Sequence, residues 1–233
     1  MKLGIIGAMQ QEVETLLSHL EGCARQEKAG SVFYEGTLGG LETVVVQCGV
    51  GKVNAAICVQ ILCDCFGVTH VVNTGIAGSL CAELDIGDLV ISEDAMYHDV
   101  DCHAFGYPTG KVPGMPQTYP ADALLADYAH EAAQTVHPGH VRRGRVASGD
   151  QFVNEKALKE HIIAVTGALC TEMEGAAIAH AAYRNGVPYV IIRAISDKAD
   201  DSVEMDYPTF ETQAAHHCAA VTLAFAKHLK GTK

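Results

Sequence analysis

The sequence predicts an α/β fold, a three-layer α/β/α sandwich around a twisted, mixed and mostly parallel sheet. Short apolar runs typical of buried strands alternate with segments of helical periodicity along the whole chain. The run over 189–195 is apolar except for Arg193, which is the pattern of a strand covered by helices on both faces. With 233 residues, 48% hydrophobic content and no linker-like segment, the chain is expected to form one domain spanning 1–233.

Hydrophobic periodicity and turn residues place the elements of the first half of the chain. These strands end in glycine, a carboxylate or a hydroxyl residue, which favours a small-molecule site at the strand ends. We expect a strand over 3–7 and a helix to Leu20, a hairpin of 31–38 and 41–47 around Gly39-Gly40, a helix over 54–65, a strand over 70–73 ending in a turn at 74–78, and a strand over 88–92.

The second half begins with an irregular segment over 94–120, which contains four of the seven prolines. A segment of this length in a compact domain is usually functional or ordered by a partner. Beyond it we expect a helix over 121–135, a strand over 140–147, a short helix from Asn154 or Glu155, a strand ending near Glu172, a helix that stops at Asn185-Gly186, a strand over 189–195 and a final helix over 208–230.

Carboxylates occupy the points where predicted strands end. Glu172 and Glu174 lie between a strand and a helix, Asp197 follows the strand that contains Arg193, and Glu12 lies in the first turn of the first helix. Each of them alone is more simply explained as a residue that caps or stabilises a helix N-terminus. Because parallel strands end at one edge of a sheet, we expect Glu174, Arg193 and Asp197 to converge there in a candidate active site.

The charge balance narrows the class of partner. There are 28 acidic and 16 basic residues, which give a formal net charge of -12. Nucleic acids and anionic membranes are bound by basic patches. We therefore expect neither as a partner, and we expect a neutral or zwitterionic small molecule as the substrate.

Cysteine usage and the N-terminus indicate the compartment. Nine cysteines, an odd number without a C-x-x-C pair, are typical of free thiols in a reducing environment. The segment MKLGIIGAMQQEVE reaches polar residues too early for a signal peptide, and no apolar run is long enough to cross a bilayer. We therefore expect a cytoplasmic location.

Two glycine-containing segments follow predicted strands. In the first, Gly49-Val50-Gly51-Lys52, the third glycine of a dinucleotide fingerprint is replaced by Asn54, so a tight strand-to-helix turn is favoured over a cofactor site. In the second, over 74–78, small residues allow a ligand to approach the backbone, although close packing selects the same residues. We expect no cofactor.

The segment from His98 to His103 contains possible metal ligands, with Asp99, Asp101 and Cys102 between the two histidines. Their spacing matches no established ligand pattern, so a polar loop is favoured. The other histidines show no pattern, and the sequence contains no Gly-x-Ser-x-Gly. No metal site is predicted.

Seven segments spread over almost the whole chain resemble the nucleoside phosphorylase and nucleosidase superfamily and, within it, the 5′-methylthioadenosine/S-adenosylhomocysteine nucleosidases. They are GIIGAMQQEVE, CGVGKVNAA, NTGIAGSL, YHDVDCHAFGYPTGKVPG, SGDQFV, TEMEGAAIA and IRAISDKAD. The resemblance implies irreversible hydrolysis of the N-glycosidic bond of 5′-methylthioadenosine and S-adenosylhomocysteine, and also of 5′-deoxyadenosine, in methionine salvage and removal of methyl-cycle by-products. The products would be adenine and the 5-substituted ribose.

The resemblance also implies catalytic roles. Glu12 would orient and activate the attacking water, Asp197 would share a proton with N7 of adenine, and Glu174 would hold the ribose hydroxyls. Protonation matters because an adenine anion is a poor leaving group, and a nearby carboxylate stabilises the positive charge that the ribose gains in the transition state. A carboxylate that activates water opposite the leaving group parallels an inverting glycosidase.

Further residues are implied to line the same pocket. The residues implied to contact the sugar and the base are Met9, Ile76, Ala77, Gly78, Phe152, Val153 and Met173. Arg193 and Ser196 would support them, and Val50 and Tyr207 would line the 5′ side. In homodimers of this kind Cys102, Phe105 and Pro113 would reach the neighbouring subunit's site, which would account for the long proline-containing segment.

Two positions depart from the family pattern. Ile76 stands where a serine is frequent, and Cys102 stands where an apolar β-branched residue is common.

Two alternative functions use the same fold. A phosphorolytic purine nucleoside phosphorylase would need cations for phosphate, whereas GAMQQEVE offers Glu12. A non-catalytic nucleoside-binding protein would have no use for three carboxylates at the strand ends.

Overall fold

The computed structural model describes residues 1–199 and 207–231, which form strands and helices in alternation. The strands are β1 (Lys2–Gly7), β2 (Glu21–Lys28), β3 (Ser31–Leu38), β4 (Leu41–Gln47), β5 (His70–Ser79), β6 (Leu89–Tyr97), β7 (Tyr119–Pro120), β8 (Val141–Ser148), β9 (Cys170–Glu172) and β10 (Tyr189–Asp197). The helices are α1 (Gln10–Ser18), α2 (Lys52–Phe66), α3 (Ala123–Val136), α4 (Lys156–Thr166), α5 (Gly175–Asn185) and α6 (Tyr207–Gly231), with a 3₁₀ turn at His103–Phe105.

All ten strands belong to one mixed sheet, in the order β10-β6-β8-β9-β5-β1-β4-β3-β2 with β7 on β6. The pairings of β1 with β4 and β5, of β5 with β10, and of β8 with β6 and β9 are parallel. Because β10 pairs with β5 as well as β6, the strands β5, β10, β6, β8 and β9 close into a ring. This closure adds to the predicted α/β sandwich, whose mixed sheet is confirmed.

Apolar cores lie on opposite faces of the sheet. Neighbouring strand residues separate between them: Ile5 packs with residues of α1, α3 and α6, whereas Ile6 packs with residues of α2 and α5. Val190 and Ile191 divide in the same way. The continuous apolar runs of β1 and β10 are therefore explained by helices on both faces, as the sequence predicts.

Three sequence predictions are wrong in extent. Residues 74–78 are not a turn but the second half of β5, because they continue to pair with β10. Strand β6 runs to Tyr97 rather than Ser92, so the irregular segment starts later than predicted. Strand β2 was not predicted, because its residues are exposed up to Glu27 and carry no apolar alternation.

Parallel pairing of β1, β5 and β10 places the carboxyl ends of these strands at one edge of the sheet, and β9 ends beside β5. This edge contains a cluster of buried charged side chains, which defines the candidate site.

Within the described residues, no helix combines the length and apolar character needed to cross a bilayer.

Candidate active site

A pocket opens where β1, β5, β9 and β10 end. Its cavity volume is about 200 Å³, and its mouth is open to solvent. Apolar side chains form most of its wall, and four carboxylates from three segments of the chain complete it. Its lining residues are Ala8, Met9, Glu12, Val50, Ile76, Ala77, Gly78, Phe152, Thr171, Glu172, Met173, Glu174, Arg193, Ser196 and Asp197.

Arg193 lies within β10 and is 1% exposed. Its guanidinium pairs with Glu172 and lies 4.0 Å from Oε1 of Glu12 and 3.7 Å from Oε2 of Glu174. Nη2 also donates to Oδ1 of Asn73 at 2.5 Å. Burial alone would lower the pKa of Arg193, but the charges of Glu172, Glu12 and Glu174 outweigh burial and raise that pKa. The guanidinium therefore stays charged and holds three carboxylates at one point.

Glu12 is positioned by the first turn of α1 and is 2% exposed. Its Oε2 accepts hydrogen bonds from the backbone N–H groups of Ala8 and Met9 at 2.6 and 2.9 Å, and its Oε1 accepts one from Ile76 at 3.0 Å. Burial raises the pKa of Glu12, and Arg193 and these three N–H groups oppose the increase. The result is a fixed carboxylate whose proton affinity exceeds that of an exposed glutamate, which suits a general base.

Glu172 is engaged on all sides. Its carboxylate accepts hydrogen bonds from the hydroxyl of Ser148, from the N–H of Gly175 at 2.8 and 3.0 Å, and from the N–H of Glu174 at 3.1 Å. With Arg193 as ion-pair partner, its lone pairs are committed to the protein. Glu172 therefore holds Arg193 and the start of α5 in place.

Glu174, two residues later, has a different environment. Its Oε1 accepts a hydrogen bond from the N–H of Gly51 at 2.8 Å. Burial raises the pKa of Glu174 to about 7, the charge of Glu172 adds to the increase, and Arg193 opposes it. This side chain therefore holds its proton to a higher pH than an exposed glutamate does.

Asp197 closes the site at the end of β10, where it is 6% exposed. Its Oδ2 accepts a hydrogen bond from the hydroxyl of Ser196 at 2.8 Å, and its Oδ1 accepts one from the N–H of Ala199 at 2.7 Å. These two donors fix the carboxyl against the wall of the pocket. A second, narrow cleft continues the pocket beside Asp197 and is also lined by Phe152 and Val153.

Lys52 joins the polar loops that flank the pocket. Nζ of Lys52 lies 2.6 Å from Oδ2 of Asp99 and 3.4 Å from Oδ2 of Asp150. The backbone of Gly51, with φ of 101°, starts α2 and points its N–H at Glu174. The prediction of a tight strand-to-helix turn over 49–52 is therefore confirmed.

The structure brings most predicted site residues together. All those named for the base, the sugar and the supporting shell line the pocket or the adjoining cleft, together with Val50. Tyr207 begins α6, but its side chain lies outside the described residues. Cys102, Phe105 and Pro113 are on the irregular segment and do not line the pocket of their own chain, and Phe105 is 80% exposed.

Sequence reasoning missed the roles of Glu172, Thr171 and Ala8 in this site. Glu172 was noticed only as a second carboxylate at a strand end, although a buried arginine in β10 requires a carboxylate partner. That requirement is the signal that would have identified it. Thr171 and Ala8 line the pocket through their place at strand ends, and their residue types give no separate signal.

Comparison with known proteins gives one consistent result. Residues 2–227 match the model of the phosphorylase superfamily. The 5′-methylthioadenosine/S-adenosylhomocysteine nucleosidase of Halalkalibacterium halodurans is 44% identical over 229 residues, which cover 98% of this chain and 99% of that protein.

Solved structures agree with the sequence relatives. The S-adenosylhomocysteine nucleosidase of Streptococcus pyogenes in complex with 5-methylthiotubericidin superposes with a TM-score of 0.94 and 35% identity, covering 98% of this chain and 97% of that one. The 5′-methylthioadenosine/S-adenosylhomocysteine nucleosidase of S. pneumoniae with the transition-state inhibitor MT-ImmA gives a TM-score of 0.93 and 37% identity, covering 98% of this chain and all of that one.

Gly75→Ala should destabilise the protein and displace Arg193 and Glu12, which line the pocket. A Cβ at Gly75 would collide with Nη1 of Arg193 and Oε1 of Glu12, and overpacking of this kind costs roughly 3 kcal/mol. Chemical denaturation measures the loss. The control is Gly67→Ala, where φ is +61° and the added Cβ meets nothing within 4 Å, so only the backbone cost of roughly 1 kcal/mol applies. Equal losses in the two variants would contradict the account.

Glu174→Gln should stabilise the protein at pH 8 but not at pH 4. The pKa of Glu174 is about 7 in the folded chain, against 4.5 for an unperturbed glutamate. The folded state therefore keeps a proton that the unfolded state has lost, and stability falls as the pH rises from 4.5 to about 7. Removing the buried charge should recover roughly 1–3 kcal/mol at pH 8. A variant less stable than wild type at pH 8 in urea denaturation would refute this reading.

Proposed function

The chain belongs to the phosphorylase superfamily and, within it, to the 5′-methylthioadenosine/S-adenosylhomocysteine nucleosidases, and we propose that it hydrolyses the N-glycosidic bond of both nucleosides, and of 5′-deoxyadenosine. One observation carries the proposal: Glu12, Glu174 and Asp197 face one pocket, and Arg193 fixes the first two. Adenine and the 5-substituted ribose are the products.

Glu12 acts on the nucleophile. Its raised pKa and its three backbone donors support a role as the base that orients a water molecule and takes its proton. The water oxygen forms a bond to C1′ of the ribose as the bond from C1′ to N9 breaks. The electron pair of that broken bond moves into the adenine ring.

Asp197 acts on the leaving group. Its carboxyl, in protonated form, donates to N7 of adenine, so that the base departs neutral rather than as an anion. Ser196 and the N–H of Ala199 hold that carboxyl in place. After turnover Glu12 carries the proton from water and Asp197 has lost one, and exchange with solvent restores both.

Glu174 acts on the sugar. Its carboxylate accepts hydrogen bonds from the ribose hydroxyls and stabilises the positive charge that develops at C1′. The hydrogen bond from Gly51 orients it. Both functions need the ionised form, which a pKa of about 7 makes available at neutral pH.

The remaining pocket residues recognise the substrate. Phe152 stacks on adenine, and the backbone of Val153 contacts the edge of the base. Met9 and Met173 pack on the sugar, with Ala77 and Gly78 allowing close approach. Val50, which also lines the pocket, contacts the 5′ substituent.

The protein acts as a homodimer in the cytoplasm. A single chain leaves Phe105 80% exposed and Val50 half-exposed, and the loop containing Cys102, Phe105 and Pro113 would cover the 5′ side of the partner's pocket. An exposed aromatic residue beside an open site supports this arrangement. The free cysteines, several of them buried, suit a reducing compartment.

Hydrolysis is favoured over phosphorolysis because the cations near the pocket are already paired with carboxylates of the protein. Arg193 is paired with Glu172, and Lys52 is paired with Asp99. Neither cation is left to bind a phosphate. A phosphate in this pocket would also be repelled by the negative charge of Glu12. Water is therefore the better nucleophile for this pocket.

Adenine release from 5′-methylthioadenosine should proceed at the same rate with and without phosphate. Asp197→Asn and Glu12→Gln should each lower kcat by roughly 10²–10⁴-fold while the fold is retained. Glu14→Gln, an exposed position on the same helix as Glu12, should keep wild-type activity. A coupled assay of adenine measures all four proteins. Strict phosphate dependence would rule out hydrolysis, and adenine binding without turnover by the wild type would indicate a binding protein.

Mixing two impaired variants, Phe105→Ala and Asp197→Asn, tests the proposed dimer. Phe105→Ala should lower kcat/KM at least about tenfold by opening the partner's pocket. A mixed dimer of Phe105→Ala with Asp197→Asn has one pocket with both an intact carboxyl and an intact covering loop. Random mixing at equal amounts should then recover about a quarter of wild-type activity, since half of the dimers are mixed. Activity equal to the average of the two parents would show that Phe105 serves its own chain.

A further inference from the structure

A second group of polar side chains lies outside the pocket, at the start of β6 and β8. Asp88, His137 and His140 each offer one ligand atom, and these atoms all lie within 4.8 Å of one another. Nδ1 of His140 is 2.8 Å from Oδ1 of Asp88, although the two residues are 52 positions apart in sequence. This separation explains why a search for local ligand spacing along the sequence does not find the group.

The sequence between the two histidines makes their proximity rigid. His137-Pro138-Gly139-His140 forms a turn in which the N–H of His140 donates to the carbonyl of His137 at 3.3 Å. Proline at the second position and glycine with φ of +81° at the third are typical of a type II turn. The two imidazole rings stack with their centroids 4.5 Å apart. The backbone that carries both rings is therefore already ordered, and only side-chain rotations remain for a ligand to fix.

The carboxylate is equally well fixed. Asp88 is 8% exposed, and its Oδ2 accepts a hydrogen bond from the N–H of Asp85 at 2.8 Å. That bond leaves Oδ1 directed at His140. The carbonyl of Asp88 in turn accepts a hydrogen bond from the N–H of Ile195 in β10 at 2.8 Å, so the main chain on either side is held.

The residue types suit a transition-metal ion. Imidazole nitrogens beside a carboxylate are the donors that zinc and related transition-metal ions prefer. A third imidazole, that of His217 on α6, lies 5.4 Å from the ring of His137 between centroids.

We propose that Asp88, His137 and His140 form a binding site for a divalent transition-metal ion of the zinc class, with solvent completing the coordination. Bonds from zinc to imidazole nitrogen and carboxylate oxygen are roughly 2.0–2.2 Å long, so tetrahedral ligand atoms lie about 3.4 Å apart. Because the two rings stack, at least one of them must turn out of the stack for both nitrogen lone pairs to point at the ion. The ion replaces the proton between His140 and Asp88.

The ion would have a structural role. The ligands join the α3–β8 turn to the start of β6, and Asp88 is hydrogen-bonded to β10 through its carbonyl. Binding to the folded state alone stabilises that state by mass action. The site uses no residue of the proposed catalytic machinery, so its occupancy should change thermal stability more than turnover.

Titration with Co²⁺ and Zn²⁺ tests the site on the full chain. Wild type should bind one equivalent of Co²⁺ and show weak d–d absorption without the intense thiolate charge-transfer bands that cysteine ligands give. Zn²⁺ should compete for the site and raise Tm. His137→Gln/His140→Gln should bind at least about tenfold more weakly and lose the Tm increase. The control, His130→Gln/His161→Gln, changes two histidines that are not members of the group and should behave as wild type.

The alternative outcomes are distinct. Thiolate bands in wild type would place the ion on cysteines such as the exposed Cys23 and Cys65 and would overturn the proposal. Equal affinity of the double variant and wild type would overturn it as well. If the double variant does not fold, Asp88→Asn replaces it, because an asparagine oxygen can still accept the N–H of Asp85 while the charged ligand is lost; unchanged metal affinity in that variant would be equally decisive against the site.

Discussion

The buried guanidinium of Arg193 is the interaction on which the site depends. A charge that is 1% exposed is stable only if it is paired, and here Glu172 pairs with it directly while Glu12 and Glu174 lie within 4.0 Å of it. Removing Arg193 or Glu172, the two directly paired members, would cost roughly 3–5 kcal/mol, because the other would stay buried without its counter-charge. The same interaction therefore stabilises the end of the sheet and sets the positions of two carboxylates that face the substrate.

The requirement to bury this group explains several features of the surrounding sequence. Position 75 must be glycine because Arg193 and Glu12 approach the backbone of β5 there. Glu172 has its hydrogen bonds satisfied, whereas Glu174 has its pKa raised to about 7. Two carboxylates two residues apart thus have different functions, one structural and one directed at the pocket. Burying Glu174 lowers the stability of the folded state, and the proposed chemistry requires this carboxylate in the pocket.

The sequence predicted the fold class, most helices and the carboxylates at the strand ends, because hydrophobic period and strand-end chemistry are local signals. It failed where tertiary pairing decides. Residues 74–78 have the composition of a turn but form strand because β10 pairs with them, and β2 forms without apolar alternation because β3 pairs with it. Glu172 and Glu174 are indistinguishable by residue type, and only the position of Arg193 separates their roles. The cluster of Asp88, His137 and His140 arises from pairing of distant segments in the same way.

The central claim is that Arg193 holds carboxylates of unequal proton affinity at one point, and side-chain ¹³C NMR of glutamate-labelled protein tests it most directly. Titration between pH 4 and 9 should show the carboxyl resonance of Glu174 changing well above the range of an exposed glutamate, with a midpoint of about 7. That resonance should be missing from the spectrum of Glu174→Gln and retained in that of Glu14→Gln. Titration of all glutamate carboxyls below pH 5 would contradict the account, since Glu174 would then differ little from an exposed glutamate.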